Sequence, residues 1–362
     1  MRLRDAYSSK SIALVNQQVA SNKIPYLGEG LFPRKKKTGL DLKWIKSSKG
    51  LPVALQPSAF DTVSTIRSRE GIKIEETEMA YFKESMLVKE VDEQEILRVQ
   101  EASDPYAQEV LAHIYDDAQT LIDGADVIPE IMVMSLLSSA QDYSGSPKIS
   151  ISSDGATYVY NYDPAGTYAE NNYKALEGTS VWSDLDDSDP VKDIDEACDD
   201  VEALTGTRPS IMIVSKGTMN LLKQNVKIQK YVLSHNANAS IVMTDERVKE
   251  VFDTELGITV IVYSKQYKGT DGQAHKFFPD GVATLIPSGA LGNMFFGTTP
   301  DERTLLGDSN YDCAIVNTGV AVTVTTTNDP VHTKTTVSEI CLPSFERMDE
   351  TYQIKAWTPS QD

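Results

Sequence analysis

Four histidines, three cysteines and 53 acidic side chains are the groups in this chain that could do chemistry. His113 has Glu109, Asp116 and Asp117 at i−4, i+3 and i+4. On a helix that spacing sets one imidazole among three carboxylates, which suits a metal site or, more simply, a solvated acidic face. His235, His275 and His332 stand alone, with no second ligand at useful spacing. The run Asp184, Asp186, Asp187, Asp189, Asp193, Asp195 approaches a calcium loop. The fit fails because Asp189 stands where the turn glycine belongs and Asp195 where the bidentate glutamate belongs. No GxxxxGK[ST], strand–GxGxxG–helix, GxSxG or HExxH occurs. Cys198, Cys313 and Cys341 are odd in number and far apart, and read as reduced core thiols of a cytosolically made protein. No catalytic constellation, cofactor site or metal site is expected.

Two further sets of charges concern contact, not catalysis. Arg34, Lys35, Lys36 and Lys37 open a basic stretch that continues through Lys43, Lys46 and Lys49 against only Asp41. Such a stretch suits a nucleic-acid tail, or an arm lying on the acidic surface of its own or a neighbouring copy. The abundance of acid elsewhere favours the arm. The second set lies in Phe60–Val91. Strand-forming residues enter (Thr62, Val63, Thr65, Ile66) and leave (Tyr81, Phe82, Met86, Leu87, Val88), with a polar turn region holding Gly71 between them. Charges alternate throughout: Arg67, Arg69, Glu70, Lys73, Glu75, Glu76, Glu78, Lys83, Glu84, Lys89 and Glu90. Neither face offers a clean apolar stripe, and an isolated hairpin is marginal in water. The segment therefore reads as a two-stranded ribbon ordered by a neighbouring subunit. Arg67 and Arg69, on one side of a strand, are its candidate contacts with Glu70, Lys73, Glu76 and Lys83, and Phe82 is its apolar anchor. Arg34, Lys35, Lys36 and Lys37 are candidate contacts of the same kind.

The elements that must position these groups follow from the rest of the chain. Its 362 residues allow two domains with real cores, 40% of them hydrophobic. The net charge of −19 repels nucleic acid and anionic membrane. The longest apolar runs, Ile131–Met134 and Ile258–Tyr263, are too short to span a bilayer, and no signal peptide or membrane partner is expected. Proline and glycine at high density make residues 1–59 an arm. Asp104 and Pro105 open the clearest helix, with Tyr106, Val110, Leu111, Ile114, Ala118, Leu121, Ile122 and Ala125 at helical spacing. Gly124 and Pro129 are expected to kink or break it before Ile131–Ala140 resumes. A hairpin over 148–162 turns at Asp154-Gly155. Helices are then expected at Asp193–Leu204, Lys216–Val232 and Asp245–Leu256. The expected strands are Ile211–Val214, Ile258–Tyr263, Ala274–Phe278, Val282–Ile286, the threonine- and valine-rich Val320–Glu339, Ile340–Pro343 and Thr351–Trp357.

The order of basic arm, charged ribbon, long helix, hairpin, α/β domain and closing strands resembles the major capsid proteins of tailed bacteriophages. The resemblance is to the lambda-type head protein, of the fold named for phage Hong Kong ninety-seven. The segments that carry it are Ile66-Arg-Ser-Arg-Glu-Gly71, Asp189-Pro-Val-Lys-Asp-Ile194, Val262-Tyr-Ser-Lys-Gln-Tyr267 with Phe278-Pro-Asp280, and Ser338–Lys355. It covers nearly the whole chain from about Phe32 onward, through order and spacing, not through any single diagnostic motif. It implies an α+β capsid fold: an arm over 1–59, an extended loop over 60–91, a peripheral domain over 92–189 and 321–362 with a spine helix at 105–140, and an axial domain over 190–320. It also implies a late structural protein of the virion, made in the host cytoplasm. Its hexamers and pentamers would close an icosahedral shell around packaged double-stranded DNA, touched non-specifically. The implied partners are a separately encoded scaffolding protein, a portal protein and, as a further candidate, a decoration protein. The rival readings are another self-assembling array protein and an α/β enzyme without a recognisable site.

Overall fold

The computed structural model describes residues 8–9, 12–13, 26–45, 74–88, 105–139, 144–153, 156–234, 242–305, 312–328 and 331–358. In chain order the elements begin with α1 (Leu27–Leu31), β1 (Arg34–Lys36), β2 (Asp41–Ile45), β3 (Ile74–Glu78), β4 (Ala80–Val88) and α2 (Pro105–Ser138). Next come β5 (Lys148–Ser153), β6 (Ala156–Asn161), α3 (Thr167–Asn171), β7 (Tyr173–Ala175), α4 (Pro190–Thr205) and β8 (Ile211–Val214). Then follow α5 (Lys216–Gln224), α6 (Val226–Ser234), α7 (Asp245–Leu256), β9 (Thr259–Val262), β10 (Gln266–Lys268), β11 (Ala274–Lys276) and β12 (Val282–Ile286). The chain closes with β13 (Asn293–Phe296), α8 (Pro300–Leu305), β14 (Asp312–Val316), β15 (Val320–Asn328), β16 (Val331–Ser344) and β17 (Tyr352–Lys355). The chain divides into two compact units: one comprises 1–43, 76–132 and 292–344, and the other 44–75, 133–291 and 345–362.

The first unit is built on β16. β-Branched residues crowd this strand and β15, which suits a pleated, half-buried surface. β15 pairs along one side of β16 and β14 continues beyond it. On the other side β4 pairs with Thr333–Cys341 and β13 with Cys341–Ser344. β1 then adds in parallel to β13. Alternation puts Val337, Glu339 and Cys341 on one face of β16. Val88, Val316, Val320, Val322 and Val337 cluster there with Ala118, Leu121 and Ile122 of α2.

Of the two outcomes expected at Gly124 and Pro129, a kink or a break, the break does not occur: the helix expected over 105–140 runs through both for 34 residues. A helical proline removes one hydrogen bond and costs roughly 3 kcal/mol. Leu121, Ile122, Met132, Val133 and Met134 around it are all buried. At about 1.5–3 kcal/mol per large apolar side chain their burial outweighs that loss.

The second unit is mixed α/β. Its sheet has the order β7-β17-β12-β8-β9, with every residue of β12 buried. Helices α4–α7 cover it with Ile194, Val201, Leu222, Ile228 and Phe252. Asp189 caps α4 by accepting from the Lys192 amide, and Pro190 fills its first position. Gly257 ends α7 at φ +67, where its amide and that of Ile258 reach back to Asp253 and Phe252. The single helix expected over Lys216–Val232 is two, because Asn225 adopts an extended backbone and caps α6 by accepting from the amides of Lys227 and Ile228 at 3.0 Å. The hairpin expected over 148–162 is present as β5–β6.

Three expectations about the division of the chain differ from the structure. The arm contains regular structure, since β1 is an edge strand of the first unit's sheet. Tyr352–Lys355 pairs within the α/β sheet, while Asn293–Phe296 and Asp312–Val316 belong to the other sheet. The exit half of the 60–91 segment is no projecting ribbon. β4 pairs with β16 of its own chain over nine residues, and β3 forms a two-stranded sheet with β2. Ile340, Val337 and Thr335 of β16 lie across from Tyr81, Glu84 and Met86 and give these β4 residues cross-strand partners within the chain. The entry half, 60–73, lies outside the described residues.

Candidate functional site

The described contact candidates Arg34, Lys36 and Lys83 lie in the first unit, on or beside β1 and β4. Arg34 leads. Both terminal nitrogens of its guanidinium donate to Asp126 Oδ1 at 3.1 Å, one also reaches the Asn317 carbonyl at 3.2 Å, and Nε lies 3.4 Å from Glu29. The guanidinium Cζ lies over the Phe296 ring, 5.5 Å from the centroid. Asn317 stands at φ +48 in the β14–β15 turn and donates to the other Asp126 oxygen at 3.0 Å, so the turn and the ion pair hold each other. Arg34 is thus spent within its own chain, with a side chain only 13% exposed.

Asp126 and Glu130 continue the helix stripe of Ala118 and Ile122 and are 7% and 2% exposed. Glu130 accepts the Gly28 amide at 2.9 Å. Burial, followed by the charges of Asp126, Asp123 and Glu130, raises the Tyr26 phenol above its ordinary value.

A second carboxylate fastens β4. Asp301, in the first turn of α8, accepts from Ser338 at 2.6 Å and from Lys83 at 3.0 Å, with the Tyr81 hydroxyl at 3.5 Å. Burial opposes its charge, but the Ser338 and Lys83 hydrogen bonds prevail and hold its carboxyl below the ordinary aspartate value. Glu302 takes Lys36 Nζ at 2.5 Å. Beside them, on the other face of β16, Glu339 is 1% exposed, and its Oε2 has no hydrogen-bond partner among the described residues. Burial first, and then the Asp126 charge, raise its carboxyl well above the ordinary value against the opposing pull of Arg34.

Of the predicted contacts, Arg34, Lys36 and Lys83 therefore have acidic partners in their own chain. Lys35 is exposed, and Lys37 Nζ lies 5.9 Å from the Phe295 ring. Phe82 is half-buried opposite Glu339. Arg67, Arg69, Glu70 and Lys73 lie outside the described residues, as do the side chains of Glu76 and His113. The aspartate run is a helix entry: Asp184 accepts the amides of Asp186 and Asp187, and Asp193 accepts the Trp182 indole at 3.0 Å. Among the described residues no group of three metal-binding side chains forms. The three cysteines are free thiols, with Cys198 and Cys313 pushed up to about 12 by burial.

Sequence reasoning passed over Asp126, Glu130, Asp301, Glu302 and Glu339. A signal existed for the first two, which sit at i+4 and i+8 from Ile122, where the helical period calls for apolar residues.

A phage-related protein from Bordetella bronchiseptica RB50 shares the fold at a TM-score of 0.56 and 15% identity, over 95% of this chain and 96% of that one. A protein described as a prophage capsid protein of E. coli CFT073 gives 0.56 and 16%, over 96% and 98%. The capsid protein of Cyanophage A-1(L) gives 0.51 and 13%, over 91% of each. No curated protein matches in sequence. The fold is the α+β phage capsid fold. The phage major capsid protein E family matches residues 10–356, and the chain belongs to that family of shell-forming capsid proteins.

Proposed function

We propose that this protein forms the wall of the icosahedral head of a tailed phage, as hexamers and pentamers around packaged double-stranded DNA. The observation that carries the reading is the match to a major capsid protein family over residues 10–356. The net charge of −19 supports it, because a wall that repels DNA lets the genome move during packing. No enzymatic role is part of this reading. The protein is made in the host cytoplasm and works with a scaffolding protein and a portal protein, a decoration protein being a further candidate.

In this reading residues 60–73 reach the adjacent copy, with Arg67, Arg69, Glu70 and Lys73 as contacts and Glu76, Lys35 and Lys37 as further ones. Arg34, Lys36 and Lys83 steady the base from which that segment leaves. The α/β residues of 190–320 serve as the axial domain around local symmetry axes, and α2 as the spine of the peripheral domain. Removing residues 60–72 while keeping β3 and β4 tests this. The shortened protein should remain folded and soluble but form no stable shells. Normal shells from it would overturn the role given to that segment.

A further inference from the structure

The β4–β16 junction holds two carboxyl groups on opposite faces of the sheet, one register position apart. Glu339 lies across from Phe82, and Ser338, the partner of Asp301, lies across from Lys83. Asp301 is hydrogen-bonded by Ser338 and Lys83, with Tyr81 at the limit of reach. Glu339 is enclosed, and one of its oxygens has no donor among the described residues. The charged and titratable groups that act on Glu339 are Asp126 of α2, Arg34 of β1 and Cys341 of its own strand; β4 presents the uncharged Phe82. Arg34 is already engaged by Asp126, and an ionised Glu339 would make a second buried negative charge beside one cation. A buried charge without its own partner is avoided by keeping the proton.

We propose that the sheet's hold on β4 is a proton-dependent lock, closed when Glu339 is a neutral acid and Asp301 is ionised. The two groups have opposite signs of linkage. Glu339 holds its proton more tightly when folded, so its contribution is harmless below the ordinary value of 4.5. Above that value it opposes folding increasingly, until the folded group itself ionises. Asp301 holds its proton less tightly when folded, so its contribution is present above the ordinary value of 3.8 and is lost as pH falls through its lower folded value. β4 is gripped best between these limits. Rising pH loosens it through Glu339 from the ordinary value of 4.5 upward, and strong acid loosens it through Asp301.

Unfolding of the full-length Glu339→Gln and Asp301→Asn variants, followed from about pH 3 to about pH 9, tests the lock. The wild-type unfolding constant should gain up to about tenfold per pH unit relative to Glu339→Gln above pH 4.5, the two converging in acid. Asp301→Asn should lose to wild type near neutrality and approach it in acid. Infrared spectra supply a measurement independent of folding stability: the carbonyl band of a protonated carboxylic acid should persist at neutral pH in wild type and vanish in Glu339→Gln. Parallel stability curves for wild type and Glu339→Gln, or no such band, would overturn the proposal. So would a Glu339→Gln protein less stable than wild type at neutral pH.

Discussion

At the scale of single residues, the first unit depends on matched burial of unlike charges. Arg34 and Asp126 have side chains 13% and 9% exposed, so removing one partner leaves the other without compensation. Breaking such a pair costs about 3–5 kcal/mol. Arg34→Met should lower the unfolding free energy by roughly that amount in urea titrations, whereas Lys35→Met, on an exposed side chain, should change it by less than about 0.5 kcal/mol. Equal small effects would return Arg34 to the surface role that its basic neighbours suggested. The excess of acid in the sequence favoured acidic partners for the 34–37 cluster, and Arg34 and Lys36 have them. It did not show which ones. Asp126 lies 92 residues away and Glu302 266 residues from Lys36, and periodicity carries no information at that range.

At the scale of elements, local pattern carried far. The strands Ile211–Val214 and Val282–Ile286 and the helix Asp245–Leu256 stand where alternation, caps and glycine stops placed them. Pairing was harder to see. Residues 80–88 read as a strand, but β16, the partner the structure gives it, begins more than two hundred residues later, beyond the range of any local pattern. Likewise Pro129 marks a helix break by propensity, and only burial on both sides of it overrides that. Gly292 shows how closely paired strands approach. A Cβ there would lie 1.8 Å from the Ser344 carbonyl oxygen, against a backbone that cannot move without disturbing β13 and β16. Gly292→Ala should therefore destabilise by at least about 2 kcal/mol, with reduced soluble yield. Gly30→Ala, where nothing lies within 4 Å, should be neutral to slightly stabilising in the same assay. Deleting β4 should unfold the first unit, unlike a deletion confined to 60–72. A folded protein without β4 would mean that its pairing with β16 adds little.

At the scale of the whole molecule, the chain acts through repetition. A surface ion pair between copies is worth at most about 1 kcal/mol, and a shell multiplies it over every contact. Charge pairs exposed between copies are screened by salt, so shell stability that rests on them should fall as ionic strength rises, while the buried Arg34–Asp126 pair should hold. Light scattering of assembled particles across a salt series would show the first effect, and intrinsic fluorescence of the subunit should stay constant through it. Loss of the subunit fold at the same salt would tie assembly and folding to one set of charges. The most direct test of the account is electron microscopy of the full-length protein, produced together with the genes that neighbour its own. Curved walls built from this chain are expected: closed shells where a scaffold is present, and tubes, irregular shells or rings of subunits where it is not. Discrete 39.9 kDa monomers under every condition, with no larger assembly, would contradict it.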